Sequence, residues 1–583
     1  MADPNLRLFS TKSLYELCVS AVVARFRDYK LHLTDLPKNV RFDLYYQLYK
    51  DKKICMLGSE LSCLETFSKM LKVTNRRIHL LQIFQAPINH GIKVEQNLAF
   101  KYVMYSLDER ENPAVQDKII NLGLRLGAFL SDAGWYAESE QVLFACKELC
   151  IANNQTPENW FRTLDCCHKL LHAQASFCAF DGAAETHRLA IEMIDKLKHT
   201  QYSACNHAAL FAEFSVLFFI RSEYDEAYRW SIEALSHLKP SLPARVIIDV
   251  LRQAAKSCVV KREFQKAGLL IREAVYLTRE IFDIDHPKYS DVLIDYGFYL
   301  LNYDSIINSV SVYKVALDIR KEIFGKTNLH VALAHEDLAY ALYVYEYSSG
   351  RFIEASQNAG TAIEIMEKLL PQNHLMLASA KRVQALILEE IAIDSASAPN
   401  APMPVQQLLD KSEILHLSAL ELARTAFGER NVQTAKHYGN LGRLYQSMKK
   451  FQEAEEMHLK AIRIKEDLLG PEDYEVGLSI GHLASLYNFH MKRYRDAEQL
   501  YYRSIAISLK LFGKSYSGLE YDYRGLLHVY AKLEDNEKYL EYTNTLDNWK
   551  ELRDRHVESE DPPIDLQKRP QPIEHIINMF FNM

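Results

Sequence analysis

The sequence predicts an all-α chain: a short N-terminal helical module followed by a right-handed superhelix of about ten helical hairpins, an α-solenoid. Two observations carry that prediction. Small residues recur seven apart, as in Ala227 with Ala234, Ala267 with Ala274, Ser309 with Ala316, Ala355 with Ala362, Ala454 with Ala461, and Ala497 with Ser504. That interval returns a residue to the same helix face, where a neighbouring helix can approach closely. The second observation is a connector that repeats with the pairs: I-F-D-I-D-H-P from Ile281, I-F-G-K from Ile323, A-F-G-E from Ala426, L-L-G-P from Leu468 and L-F-G-K from Leu511. A glycine after the last apolar pair is a helix stop, because glycine enters positive φ at no steric cost.

Composition agrees and excludes several classes of function. A chain of 583 residues with only 20 glycines and 17 prolines suits continuous helix, and a solenoid grows by adding repeats, so its length does not count domains. The net charge of -7 is small for this size and announces no nucleic-acid or anionic-membrane surface. The ten cysteines are scattered without C-x-x-C pairs, which fits reduced thiols in a cytoplasmic or nuclear protein. The start, M-A-D-P-N-L-R, carries no basic-then-apolar signal, and no run of about 18 apolar residues occurs, so neither secretion nor a membrane span is expected.

Taken in order, the elements begin with Ser13 as N-cap of a helix bearing Leu14, Cys18, Val22 and Phe26 at four-residue spacing. Thr34-Asp35-Leu36-Pro37 opens a second helix through Val40, Leu44 and Leu48, with proline suited to its first turn. A helical connector over 51–118 is expected to hold helices near Leu61 to Val73 and Arg77 to Ile88. Divergent repeats follow over 119–280, where Leu126-Gly127 and Gly134-Trp135-Tyr136 mark a helix and a turn while Ser139 and Cys146 stand at small-residue positions. Long-period repeats occupy 281–553. A proline-rich insert at 394–405 interrupts them as a mobile loop, and the tail 554–583 is expected to be mostly disordered, with a short docking helix over its last residues.

The best-formed repeat runs from Asn431 to Gly470. Leu441, Gly442 and Tyr445 on a first helix, with Ala454, His458 and Ala461 on a second, resemble the tetratricopeptide repeat. The period here is about 40 to 46 residues against the usual 34, because the second helix is lengthened before its glycine. In that respect the repeats look like those of kinesin light chain.

The N-terminal helices carry a second resemblance. Ser13, Leu14, Cys18 and Val22 resemble the BC box by which substrate receptors insert a helix into elongin C; Leu36, Pro37, Val40 and Leu44 resemble a cullin-2 box. In this order ahead of a recognition solenoid, and with Leu57-Gly58-Ser59-Glu60, the stretch Phe129 to Tyr136, and Leu415 to Ala419, the chain resembles the amyloid protein-binding protein 2 family over nearly its whole length. That resemblance implies a non-catalytic substrate receptor of a cullin-2 RING ubiquitin ligase, with elongins B and C, cullin-2 and its RING subunit as partners. It also implies recognition of substrate C-terminal degrons, binding to the cytoplasmic tail of amyloid precursor protein and to microtubules, and a cytoplasmic and nuclear location with microtubule or membrane association. The competing reading is a transport or sorting adaptor, which has no need of the two N-terminal boxes.

No glycine-rich phosphate loop, G-x-S-x-G elbow or H-E-x-x-H motif is present, so no catalytic residue is expected, nor any cofactor. Cys166-Cys167-His168 and Cys146 with Cys150 lie on repeat helices where small apolar residues belong; they read as packing, and no metal site is assigned to them. His437, His458 and His482 read the same way. The peptide groove is expected on the first helices of the repeats, at Asp291, Asp295, Glu336, Asp337, Arg382, Lys436, Asn440 and Arg443. Acidic positions come first and basic ones later, so a bound peptide would place a cationic side chain at one end and its terminal carboxylate at Arg443.

Overall fold

The computed structural model describes residues 12–30, 33, 36–109, 113–201, 206–347, 350–396, 404–560 and 562–583, and among these there is no strand. Two compact units result, Met1–Ala204 with Lys321–Thr327, and Cys205–Arg320 with Asn328–Met583.

The first unit opens with α1 (Leu14–Ala24), α2 (Phe26–Tyr29), α3 (Lys38–Lys50), α4 (Ile54–Leu61), α5 (Leu64–Met70), α6 (Arg77–Asn89) and α7 (Val94–Asp108). The hairpins α8 (Pro113–Asp132) with α9 (Tyr136–Ala152), and α10 (Pro157–Ser176) with α11 (Phe180–Leu197), complete it. The helix expected over about Leu61 to Val73 is α5, shorter at both ends, with Leu61 closing α4 ahead of a break at Ser62 and Cys63. The break lets Leu61 and Phe67 both reach the core, which a straight helix would place on diverging faces. Phe67, Phe84 and Phe129 meet there with ring centroids 5.0–5.6 Å apart, Phe129 standing edge to face against both of the others.

The second unit stacks α12 (Ala208–Ile220) with α13 (Tyr224–Ser236), α14 (Ala244–Val260) with α15 (Phe264–Phe282), and α16 (Pro287–Asn302) with α17 (Ile306–Phe324), of which the part up to Arg320 belongs to this unit. It continues with α18 (Leu329–Glu346) and α19 (Ile353–Leu369), α20 (Met376–Ala396) and α21 (Val405–Phe427), and α22 (Val432–Ser447) and α23 (Phe451–Leu469). It ends with α24 (Tyr474–Phe489) and α25 (Tyr494–Phe512), α26 (Leu519–Leu533) and α27 (Asn536–Glu558), and a lone α28 (Ile573–Asn582). The insert expected at 394–405 falls mostly on residues 397–403, outside the described residues.

Close packing within a hairpin has a visible cause in α22 and α23. A Cβ on Gly442 would lie 2.8 Å from the His458 ring, so only glycine admits that ring. Between hairpins, Gly428, Gly470 and Gly513 end α21, α23 and α25 at φ 79°, 86° and 81°. Within hairpins, the turns pass through a left-handed residue that is seldom glycine: Cys178, Ser222, Arg262, Asp304, Lys449 and Lys492. Three of these also tie the second unit back on itself. Asn431 Nδ2 donates to the Arg221 carbonyl (2.9 Å) and Gln433 to Ser222 Oγ (3.1 Å); Arg262 faces Asp473 (3.8 Å); and Asp304 accepts from Ser517 N–H (2.8 Å) and pairs with Arg553 (2.6 Å).

The tail corrects the expectation of disorder. Tyr296 Oη donates to the Pro563 carbonyl (2.5 Å), Arg279 to the carbonyls of Asp565 and Lys568 (3.1 and 2.5 Å), and Gln571 N–H to Glu273 (2.6 Å). Side chains of the solenoid thus satisfy backbone groups of a segment too proline-rich to form its own ladder. α28 then packs on α15, burying Ile573, Ile576 and Phe580, with Lys266 Nζ 5.3 Å from the Phe580 ring centre.

Candidate functional site: an outward helix face and a charged interior

α1 starts at a complete capping box. The Glu16 N–H donates to Ser13 Oγ (3.2 Å) and the Ser13 N–H to Glu16 (2.8 Å), satisfying donors that a helix start leaves open. One face is anchored: Val19 and Val23 are buried along with Phe26, Lys53 Nζ donates to the Val23 carbonyl (2.7 Å), and Tyr15 Oη to Asp43 (2.5 Å). The other face is bare. Leu14 is 78% exposed, Leu17 52%, Cys18 is exposed and Val22 half-buried, so an apolar stripe at four-residue spacing points to solvent. Pro37 is exposed at the start of α3, Leu36 and Val40 are half-buried, and Arg41 clamps the Leu36 carbonyl at 2.9 Å. Leu44 departs from the sequence expectation: it is 2% exposed, packed inward with Phe42 and Leu48 on the core face of α3, and has no surface to offer a partner.

In the second unit the first helices of successive hairpins supply a continuous charged interior. Its acidic part is uneven. Asp295 is paired with Arg252 (2.8 Å) and Lys256 (3.5 Å), and Asp291 with Arg320 (3.0 Å). Burial opposes ionisation of Asp291, yet Arg252 and Arg320 prevail and hold its carboxyl below the ordinary range. Asp337 makes no ion pair among the described residues; burial, then Glu336 and Asp295, push it up to about 7, and burial raises Glu336 as well.

The basic part is largely neutralised by the chain. Arg443 lies 2.5 Å from Glu390 and 3.6 Å from Glu389, and donates to Tyr343 Oη (3.1 Å). Lys436 pairs with Glu475 at 2.9 Å, which Lys465 also contacts at 3.0 Å. Arg382 has no ion pair among the described residues and stands over the Tyr340 ring, 5.1 Å from its centre. Asn440 Nδ2 is covered and makes no hydrogen bond. The Arg443 guanidinium is thus shared between two glutamates of α20, whereas Arg382 makes no ion pair among the described residues.

His458 is fully buried with both ring nitrogens unpartnered, and burial, then Arg443, push it down to about 3; burial and Arg382 do the same to His437. A neutral imidazole at these positions is a packing group.

Tetratricopeptide repeat models match residues 405–467 and 476–515. Amyloid protein-binding protein 2 of Mus musculus is 52% identical over 571 residues, covering 98% of this chain and 96% of that protein, and its Rattus norvegicus counterpart matches equally. Among solved structures, a Rap protein complexed with competence and sporulation factor aligns over 68% of this chain and 99% of its own at 12% identity, with a TM-score of 0.47. The apo form of RapI aligns over 67% and 98% at 13% identity and 0.39. Stacked helical repeats of this kind present side chains to protein partners, and the chain is a protein-binding adaptor. At 52% identity over 98% of its length, it belongs to the amyloid protein-binding protein 2 family.

Proposed function

We propose that the chain is the substrate receptor of a cullin-2 RING ubiquitin ligase, docking elongin C through α1 and cullin-2 through the start of α3, and presenting substrates from the interior of its second unit. The observation that supports this best is the outward stripe of Leu14, Leu17 and Cys18 on a helix whose opposite face is fixed. Exposing such a stripe costs water-contact free energy of about 25 cal/mol per Å² with no return within the chain, which an apolar groove on a partner would supply. The cullin-2 contact rests on Leu36, Pro37 and Val40; Leu44 shapes α3 from inside. Catalysis belongs to the partners.

In the interior, Asp337 and Glu336 offer a cationic side chain the negative charge that the chain leaves unpaired, near the fifth and sixth hairpins. Arg382, on the seventh, offers the terminal carboxylate a charge-assisted donor. The peptide then runs extended from acidic to basic hairpins with its C-terminus last. A sorting-adaptor role toward the cytoplasmic tail of amyloid precursor protein, with microtubule association, is the second reading; the relatives' name favours its amyloid-binding part, and the two N-terminal boxes do not require it. No described helix is long and apolar enough to cross a membrane; a cytoplasmic and nuclear location belongs to the proposed reading and rests on the family resemblance.

Co-purification with elongins B and C and cullin-2 tests the assignment. Leu14→Asp should lose all three, and Pro37→Ala with Val40→Ala mainly cullin-2. Elongin C retained by Leu14→Asp would remove the receptor reading and leave the sorting adaptor.

A further inference from the structure

Two helices of the first unit bring three cysteines to one point. Cys146 and Cys150 are one turn apart on α9, Cys166 faces them from α10, and the three sulfurs all lie within 4.8 Å of one another in the buried core. Around a metal ion with metal–sulfur bonds of about 2.3 Å, thiolate sulfurs sit about 3.8 to 4.0 Å apart, so the trio stands within a small side-chain adjustment of a coordination triangle. No disulfide joins any pair. The cysteine that follows in sequence, Cys167, is buried but outside the cluster. Tyr102 Oη lies against Cys146 and donates to the Ile119 carbonyl at 3.2 Å, placing one further oxygen beside the triangle.

We infer that Cys146, Cys150 and Cys166 form a structural site for a thiophilic d10 cation, zinc(II) or copper(I), that pins α9 to α10. Three soft thiolates with little hard-ligand competition select those ions over magnesium, calcium or manganese. Loading releases the three thiol protons to solvent, with no change of oxidation state in the protein, and the three resulting thiolates exceed the ion's charge by one unit for zinc(II) and by two for copper(I). The site has no opening to solvent, since all three cysteines are fully buried, so its role is to hold two successive hairpins together rather than to perform chemistry.

The competing arrangement is three neutral thiols packed as small apolar groups, with Cys146 and Cys166 donating weakly to the carbonyls of Ile120 (3.5 Å) and Leu143 (3.6 Å). Elemental analysis of the full chain, purified under reduction without chelator, separates the two. The expected result is one zinc or one copper per chain, removed on partial unfolding by a zinc chelator in the first case and by a copper(I) chelator in the second. Cys150→Ser should abolish it, and Cys167→Ser should leave it intact. Should Cys150→Ser fail to fold, cadmium refolded into the reduced wild-type chain gives the same answer through ultraviolet thiolate-to-metal absorption. A chain that purifies metal-free and shows no such absorption with cadmium overturns the site and assigns the trio to packing.

Discussion

The outward face of α1 and the charged interior of the second unit solve opposite problems. On α1 the chain spends hydrogen bonds and buried valines on one side of a helix, and leaves leucines bare on the other. In the interior it brings charges together and pairs nearly all of them internally, leaving Asp337, Glu336 and Arg382 in excess. A recognition residue is therefore known by what it lacks. An exposed leucine without a neighbour and a carboxyl without a cation are informative; an arginine held by two glutamates is architecture, even where the repeat register aims it at the groove.

The largest effect that sharpens this contrast lies between the two N-terminal motifs. Leu14→Asp and Leu44→Asp change the same residue type in adjacent boxes, yet Leu14 is 78% exposed and Leu44 2%. Burying a carboxylate and losing a core leucine should cost Leu44→Asp more than about 4 kcal/mol, enough to unfold the N-terminal helices. Leu14→Asp should alter stability by less than about 0.5 kcal/mol. Denaturant unfolding followed by circular dichroism measures both, and equal destabilisation would place Leu14 in the core and break the comparison.

Arg443→Ala comes next. It strands Glu389, only 1% exposed, beside Glu390, and breaking a buried pair typically costs about 3 to 5 kcal/mol. Adding Glu390→Gln should restore part of that stability. The affinity penalty for amidating a peptide C-terminus should persist in the Arg443→Ala protein and vanish in Arg382→Ala, read by titration calorimetry. The opposite result would return the carboxylate to Arg443.

The sequence made one side of this contrast plain and hid the other. Seven-residue intervals and connector glycines reveal the hairpins because both are local consequences of helix geometry. The capping box and the Leu14 stripe are legible for the same reason. What pairs with Arg443 is not: Glu390 lies 53 residues upstream, on a helix that reaches it only by stacking. Likewise the contacts that tie Ser222, Arg262 and Asp304 to α22, α24 and α26 join residues over 200 apart, as Gln433 to Ser222 and Asp304 to Ser517 show. The cysteine trio was half visible, since Cys146 and Cys150 share a face, but Cys166 joins them only through the α9 to α10 contact. The tail misled because proline content predicts disorder only when no other element satisfies its backbone.

A smaller effect concerns the unpaired acid. Asp337, pushed up to about 7, faces Glu336, Asp295, Lys256 and Arg320, and a cationic ligand requires its ionised form. Affinity for a peptide bearing one arginine should therefore rise with pH. Between pH about 6 and 8 the ionised fraction changes by a factor of about ten, worth roughly 1.4 kcal/mol of binding. His437, pushed down to about 3, does not titrate in that window. Asp337→Asn should abolish the slope, and fluorescence anisotropy across that range reads it; a slope that survives the substitution would assign the proton elsewhere.

The smallest effect returns to the connectors, where four of the five compared repeats close a helix with glycine and one does not. Asp283 ends α15 at φ 73° and ψ 166°, the same region that Gly428 and Gly470 occupy at ψ 179° and 160°. A Cβ is disfavoured there by about 1 to 3 kcal/mol, because that region is populated essentially by glycine. The aspartate recovers part of the cost, since its carboxylate accepts from the Ile284 N–H at 2.7 Å. Asp283→Gly exchanges that hydrogen bond and the flexibility penalty of a glycine, each about 1 kcal/mol or less, for the relief of strain. The net gain should be at most about 1 kcal/mol, read as a small rise in the unfolding midpoint of the second unit. Gly470→Ala should move the midpoint the other way by about 1 to 3 kcal/mol, since alanine brings the strain without the carboxylate that offsets it. A loss of stability in Asp283→Gly would show instead that the side-chain hydrogen bond outweighs the backbone strain at this connector.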